Sequence, residues 1–132
     1  MHYEKDFQFG RQQESAILEI IKGKLDADVE LSIDRWSMFD YHSAKNNIEL
    51  KSRYNKMRKY PTTMITANKA HVEQGKDTLF VFAFKDTVAY IKYDKDVFDS
   101  FEKRPFSRES MPDDEKDHFY IPVDKLTVLH EF

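Results

Sequence analysis

The chain has 132 residues and a formal net charge of −3, with 40% apolar and 14% aromatic residues, which fits one domain, 1–132, and excludes a disordered polyampholyte. It has no cysteine, which excludes disulfides and zinc–thiolate sites and makes an intracellular, cytoplasmic home the expectation. No run approaches the roughly 20 apolar residues of a membrane span, and the N-terminus MHYEKDFQFG lacks a signal-peptide pattern, so no membrane partner is expected.

In chain order, Ala16, Ile17, Ile20, Ile21 and Leu25 recur at helical spacing and predict an amphipathic helix from Gly10 to Ile21, with Gly23 near its stop. Val29, Leu31 and Ile33 alternate with Glu30, Ser32 and Asp34, the pattern of a strand with one buried face. Two short strands are expected at Trp36–His42 and Asn47–Arg53, with Ser43-Ala44-Lys45-Asn46 between them. In the second, Ile48 and Leu50 point one way and Glu49, Lys51 and Arg53 the other. Tyr54 to Pro61 reads as a loop or one helical turn, Thr62–Thr66 as a β-favouring patch, and Ala67–Gln74 as helix-permissive up to Gly75. The strongest strand signals are Thr78–Phe84 and Thr87–Tyr93, joined by the tight turn Lys85-Asp86. Phe119–Val123 is expected as a last short strand in an otherwise irregular, acidic tail. The succession predicts an α/β or α+β fold around a mixed sheet.

Charge is segregated along the chain. Lys51 to Lys76 holds seven Lys/Arg against one acid, a local balance of +6, whereas Asp94 to Phe132 holds eleven acids against six bases. A basic middle and an acidic end fit a protein that touches a polyanion on one face only.

The chemistry-bearing feature is Asp40 followed, after eight intervening residues, by Glu49-Leu50-Lys51. If the two strands form a hairpin about Ala44/Lys45, paired positions sum to 89. Asp40 then faces Glu49 with Cβ atoms about 4.5–5.5 Å apart. Two carboxylates so placed repel unless a cation lies between them. A divalent ion solves this, because Mg²⁺ binds one or two carboxylates and keeps waters for substrate to displace. Lys51, two residues beyond Glu49, shares that face and is placed to stabilise charge on a scissile phosphate.

The stretch FDYHSAKNNIELKSR resembles motifs II and III of the PD-(D/E)XK nuclease superfamily. The order of helix, three strands, helix and strand is also similar to that family's restriction-endonuclease-like core, a mixed sheet flanked by helices. The resemblance covers about Gly10 to Gly75. It implies Asp40, Glu49 and Lys51 as catalytic residues, with Mg²⁺ or Mn²⁺ held by Asp40, Glu49 and the carbonyl of Leu50. Glu14 stands where small resolvases and virus-encoded relatives add a glutamate to the metal site. The resemblance further implies phosphodiester hydrolysis of nucleic acid, DNA ahead of RNA, by a homodimer, in the host cytoplasm if the protein is virus-encoded. Phe39 departs from the family's proline.

Arg53, Lys56, Arg58 and Lys59, interleaved with Tyr54 and Tyr60, form a candidate nucleic-acid footprint. Lys69 is placed by the resemblance as a phosphate contact. His42 is expected to be structural, and no histidine spacing suggests zinc. The run Asp113 to Asp117 lacks the glycine of a calcium loop. Two rivals stand beside the nuclease: a non-catalytic nucleic-acid- or protein-binding module on the same fold, and a small α+β interaction protein indifferent to metal.

Overall fold

The computed structural model describes residues 15–32, 39–69, 75–108 and 111–132. Helix α1 occupies residues 15–24, followed by strands β1 (Glu30–Leu31), β2 (Tyr41–His42) and β3 (Asn46–Ser52). Then come β4 (Thr62–Thr66), β5 (Asp77–Ala83), β6 (Thr87–Lys92), a short helix α2 (Lys95–Asp99), β7 (Glu102–Arg108), β8 (Met111–Pro122) and β9 (Thr127–Glu131). Single 3₁₀ turns lie at Met57–Lys59, Ala67–Lys69 and Val123–Lys125. Six strands form a mixed sheet in the order β1-β2-β3-β5-β6-β9, and three form a second sheet in the order β4-β8-β7. Only the β3–β5 pair of the mixed sheet is parallel. The fold is α+β with a mixed sheet.

The mixed sheet carries a hydrophobic cluster on each face. Ile17 and Ile21 of α1 pack with Val29, Tyr41, Ile48, Leu79, Val81 and Val88 on one side. On the other, Phe80, Phe82, Ala89 and Ile91 meet Ile65, Phe119 and Ile121 of the second sheet, with Phe98 of α2. Alternation along β5 sends Leu79 and Val81 toward the helix and Phe80 and Phe82 toward the second sheet. A strand buried on both faces therefore reads as the continuous apolar run LFVFA. The expectation of a sheet flanked by helices holds for α1, but the opposite face is covered mainly by a second sheet, to which α2 adds Phe98.

Three further expectations are corrected. Helix α1 runs through Gly23 to Lys24, where the Leu25 and Asp26 N–H groups donate to the Ile21 carbonyl. A Cβ at Gly23 would meet nothing within 4 Å, so this glycine marks no close approach. The tail is not irregular: residues 94–132 supply α2, β7, β8 and β9. Helix over Ala67–Gln74 is met by a 3₁₀ turn at Ala67–Lys69, the rest lying outside the described residues. Among the described residues no helix is long and apolar enough to cross a membrane.

The β2–β3 turn needs its own account, because its register positions the site. Ser43 N–H donates to the Asn46 carbonyl at 2.8 Å, leaving Ala44-Lys45 as a two-residue loop. Such loops favour glycine or asparagine at positive φ, yet neither residue has positive φ. Ser43 Oγ instead accepts the Lys45 and Asn46 N–H groups at 3.2 and 3.1 Å and donates to Asp26 Oδ2 at 2.5 Å. Asn46 Nδ2 donates to the same oxygen at 2.8 Å. The side-chain network substitutes for turn chemistry that the loop residues lack.

Candidate active site

The hairpin register is Tyr41 opposite Ile48 and His42 opposite Asn47, the pairing expected from the alternation. The ladder ends at the Tyr41–Ile48 pair: Asp40 lies in the bend before β2, and the expected pairing of Asp40 with Glu49 is not part of the register. Asp40 is held on three sides. Its N–H donates to the Ile48 carbonyl at 3.0 Å, its carbonyl accepts Ser32 N–H at 2.8 Å, and its Oδ2 accepts Leu50 N–H at 2.7 Å. The carboxylate thus continues the ladder one step past the end of β2.

Glu49 and Lys51 are registered beside Phe80 and Phe82 of β5, so they occupy the sheet face turned toward the second sheet, while Ile48 and Leu50 face α1. Lys51 Nζ lies 3.2 Å from Glu49 Oε1, with the glutamate side chain 8% exposed and the lysine 26%. A carboxylate and an ammonium this deeply placed interact more strongly than a solvated pair, and losing one partner strands the other in a poorly hydrated site. Leu50 contributes its N–H to Asp40 and its side chain to the α1-side cluster. Glu14 lies outside the described residues. Among the described residues no group of three or more His, Cys, Asp or Glu side chains converges on one point. Asp40 and Glu49 remain the two expected carboxylates, and their oxygens are hard donors of the kind that Mg²⁺ takes.

Lys51 also lines a cleft of about 670 Å³, which opens between the end of β3 with residues 53–55 and the second sheet. Arg53, Tyr54, Phe106, Lys116 and His118 share that lining. Arg53 doubles as a clamp between the sheets. Its N–H donates to the Ala83 carbonyl, and its guanidinium donates to the Met64 carbonyl at 2.6 Å and Thr63 Oγ1 at 3.3 Å while lying over the Phe82 ring. Burial pushes its pKa below the ordinary arginine value, although an arginine stays charged under such a shift.

The basic stretch expected to act as one footprint is divided. Lys56, Arg58 and Lys59 surround a separate depression of about 450 Å³ that also contains Asp86 and Glu131. Arg58 is drawn to Asp124 at 2.9 Å, and the Asp86 carboxylate accepts Met57 N–H at 3.0 Å. Lys69 ends the 3₁₀ turn after β4. His42 Nδ1 is 2.9 Å from Ser32 Oγ, a tie between β2 and the end of β1.

Phe106, Lys116 and His118 escaped the sequence reading because they sit in the acidic tail. The available signal was the alternation His118, Phe119, Tyr120, Ile121, which puts His118 opposite two core residues. No family model, no curated protein and no solved structure matches the chain.

Proposed function

We propose that the protein is a divalent-cation-dependent nuclease on a restriction-endonuclease-like core, hydrolysing phosphodiester bonds in nucleic acid, with DNA ahead of RNA. The observation that carries this reading is Lys51 lying 3.2 Å from Glu49 at the edge of a cleft lined by cations, with the Asp40 carboxylate bound to the Leu50 N–H between them in sequence. The strand order is compatible with the reading: an antiparallel β1-β2-β3 meander is followed by β5 parallel to β3. Asp40 and Glu49 fit Mg²⁺ or Mn²⁺ by donor chemistry. The bound ion would supply a water of lowered pKa and countercharge for the phosphorane-like transition state.

The protein's own groups do the rest. Asp40, immobilised through its backbone and Leu50 N–H, presents a carboxylate that costs no reorganisation on binding. Glu49 holds the Lys51 ammonium beside the cleft, where it stabilises charge on the non-bridging phosphate oxygens. Water adds to phosphorus, the bond to the leaving sugar oxygen breaks, and that oxygen takes up a proton. A domain of this size covers little of a duplex, which favours a homodimer as the working unit.

The test is a cleavage panel of linear and branched DNA and of RNA, with Mg²⁺ or Mn²⁺, comparing wild type with Glu49→Ala and Lys51→Ala. Both variants are expected to lose cleavage by about 10²–10³-fold, the usual effect of removing one preorganised charge contact, while retaining most binding. Normal cutting by either variant refutes the site. A second reading, a non-catalytic binding module on the same fold, is favoured by one observation: Glu49 and Asp40 both have partners within the protein, Lys51 and Leu50 N–H. Binding without nicking under either cation selects that reading.

A further inference from the structure

The cleft beside Lys51 has a second wall for which the proposed chemistry has no use. Lys51, Arg53 and Tyr54 line one side, and Phe106, Lys116 and His118 the other. None of the described lining residues is acidic, in a chain whose net charge is −3. A concavity of one sign focuses potential on an anion. Arg53 has carbonyl and hydroxyl partners, and no carboxylate among the described residues lies within 4 Å of it.

The aromatic residues point to the kind of anion. Tyr54 is 78% exposed and Phe106 40% exposed, which leaves ring surface of both open to solvent. Phe106 is held in place: its ring meets the edge of His118 at 5.6 Å and 84°. His118 Nδ1 is 2.8 Å from the Lys116 carbonyl, which only accepts, so Nδ1 carries the proton and fixes the ring. Beside Phe106 the β7–β8 register shifts, a bulge of the sort that re-aims side chains. Cations flanked by exposed rings suit a strand whose bases are free to stack, since each base has a π-face and the phosphates follow the positive groove. About 670 Å³ is within the range of small-ligand sites, a space on the scale of unpaired nucleotides.

We propose that this cleft seats an unpaired nucleic-acid strand, with phosphates against Lys51, Arg53 and Lys116 and bases against Tyr54 and Phe106. The substrate class is then nucleic acid with a strand free of its complement: a flap, a branch, a loop or a single-stranded end. The inference rests on the nuclease reading for its chemistry and stands apart from it for binding.

The experiment measures fluorescence anisotropy of the full chain in EDTA, so that no cleavage intervenes. The probes are labelled oligothymidylate, the same strand annealed to its complement, and oligouridylate. Wild type is expected to bind the unpaired strands more tightly than the duplex, and the two unpaired probes separate DNA from RNA as the source. Tyr54→Ala and Phe106→Ala should each weaken unpaired-strand binding by about five- to 150-fold, the usual worth of one stacked base, with duplex binding unmoved. Lys116→Ala should flatten the slope of log affinity against log salt by about 0.7. Lys24→Ala, an exposed charge on α1, should change neither. Equal or tighter binding of the duplex overturns the proposal, as does wild-type affinity in both aromatic variants. Strand preference in EDTA without cleavage on adding Mg²⁺ or Mn²⁺ supports the seat and overturns only the nuclease reading.

Discussion

Removing the Asp26 carboxylate tests whether the β2–β3 turn is held by its side-chain network. Asp26→Ala deletes the acceptor for Ser43 Oγ at 2.5 Å, Asn46 Nδ2 at 2.8 Å and Asp28 N–H at 3.0 Å. A net hydrogen bond to a charged group contributes about 1.5–3 kcal/mol when sheltered, but Asp26 is only partly buried and water recovers much of it. The residue that suffers most is Ser43, 7% exposed, whose hydroxyl loses its acceptor. The expected loss is roughly 1–2 kcal/mol in urea unfolding at pH 7, below the sheltered value. The Ser43 hydrogen bond, opposed by partial burial and assisted by Asn46, Asp28 N–H and the Lys45 charge, holds the Asp26 pKa below its ordinary value. A carboxylate with a depressed folded pKa contributes stability that is complete above its unfolded value, about 3.9, and lost as pH falls through the folded value. The difference between wild type and variant should therefore be full at neutral pH and shrink once pH drops below about 4. A gap under about 0.5 kcal/mol at pH 7, or one that persists undiminished well below that window, would refute the reasoning.

Further expectations follow from the packing of α2. Phe98 is fully buried among Phe80, Tyr93, Phe101 and Phe119, with ring centroids 4.9–6.0 Å away. Phe98→Ala should cost about 3–5 kcal/mol in denaturant unfolding, and a loss below 1 kcal/mol would contradict that burial. Asp94 caps the same helix by accepting the Asp96 and Val97 N–H groups. Asp94→Ala should lower stability by about 1 kcal/mol, whereas Asp94→Ser should recover most of it by the same measurement.

The sheet centre and the hairpin were legible because each obeys a single rule. Ile48 and Leu50 alternate with Glu49 and Lys51, and a slip of one residue would turn both charged side chains toward α1. The pattern therefore set the pairing of Tyr41 with Ile48 and of His42 with Asn47, but not one of Asp40 with Glu49, since the ladder ends at Tyr41. The LFVFA run of β5 and its partner β6 were read from apolar density and a short turn. The tail beyond β6 failed for physical reasons. β7 reads EKRPFSR and β8 opens with MPDDEKD, strands with little apolar signal whose assignment proline argues against. Pro105 is tolerated because β7 is the outer strand of its sheet, where a missing N–H breaks no ladder. The short strand expected at Phe119–Val123 is met by the end of β8, but with the tail before it read as irregular, Phe106, Lys116 and His118 had no way to join Lys51. Likewise, sequence proximity suggested that Arg53 and Arg58 act together, but the 3₁₀ turn at Met57–Lys59 sends them to different depressions.

The threading of the two sheets has a consequence for how the chain reaches this state. β4 departs from the mixed sheet between β3 and β5, and its neighbour β8 arrives sixty residues later, Thr62 meeting Pro122. The mixed sheet closes only when β9 returns to β6, after β8 has been laid down. Neither sheet is complete before the other is nearly so, and each step joins distant segments, a slow topology to assemble. A nascent chain released after β6 would carry Ile65 and the aromatic face of β5 uncovered. Melting should accordingly run as one transition, with no half surviving the other.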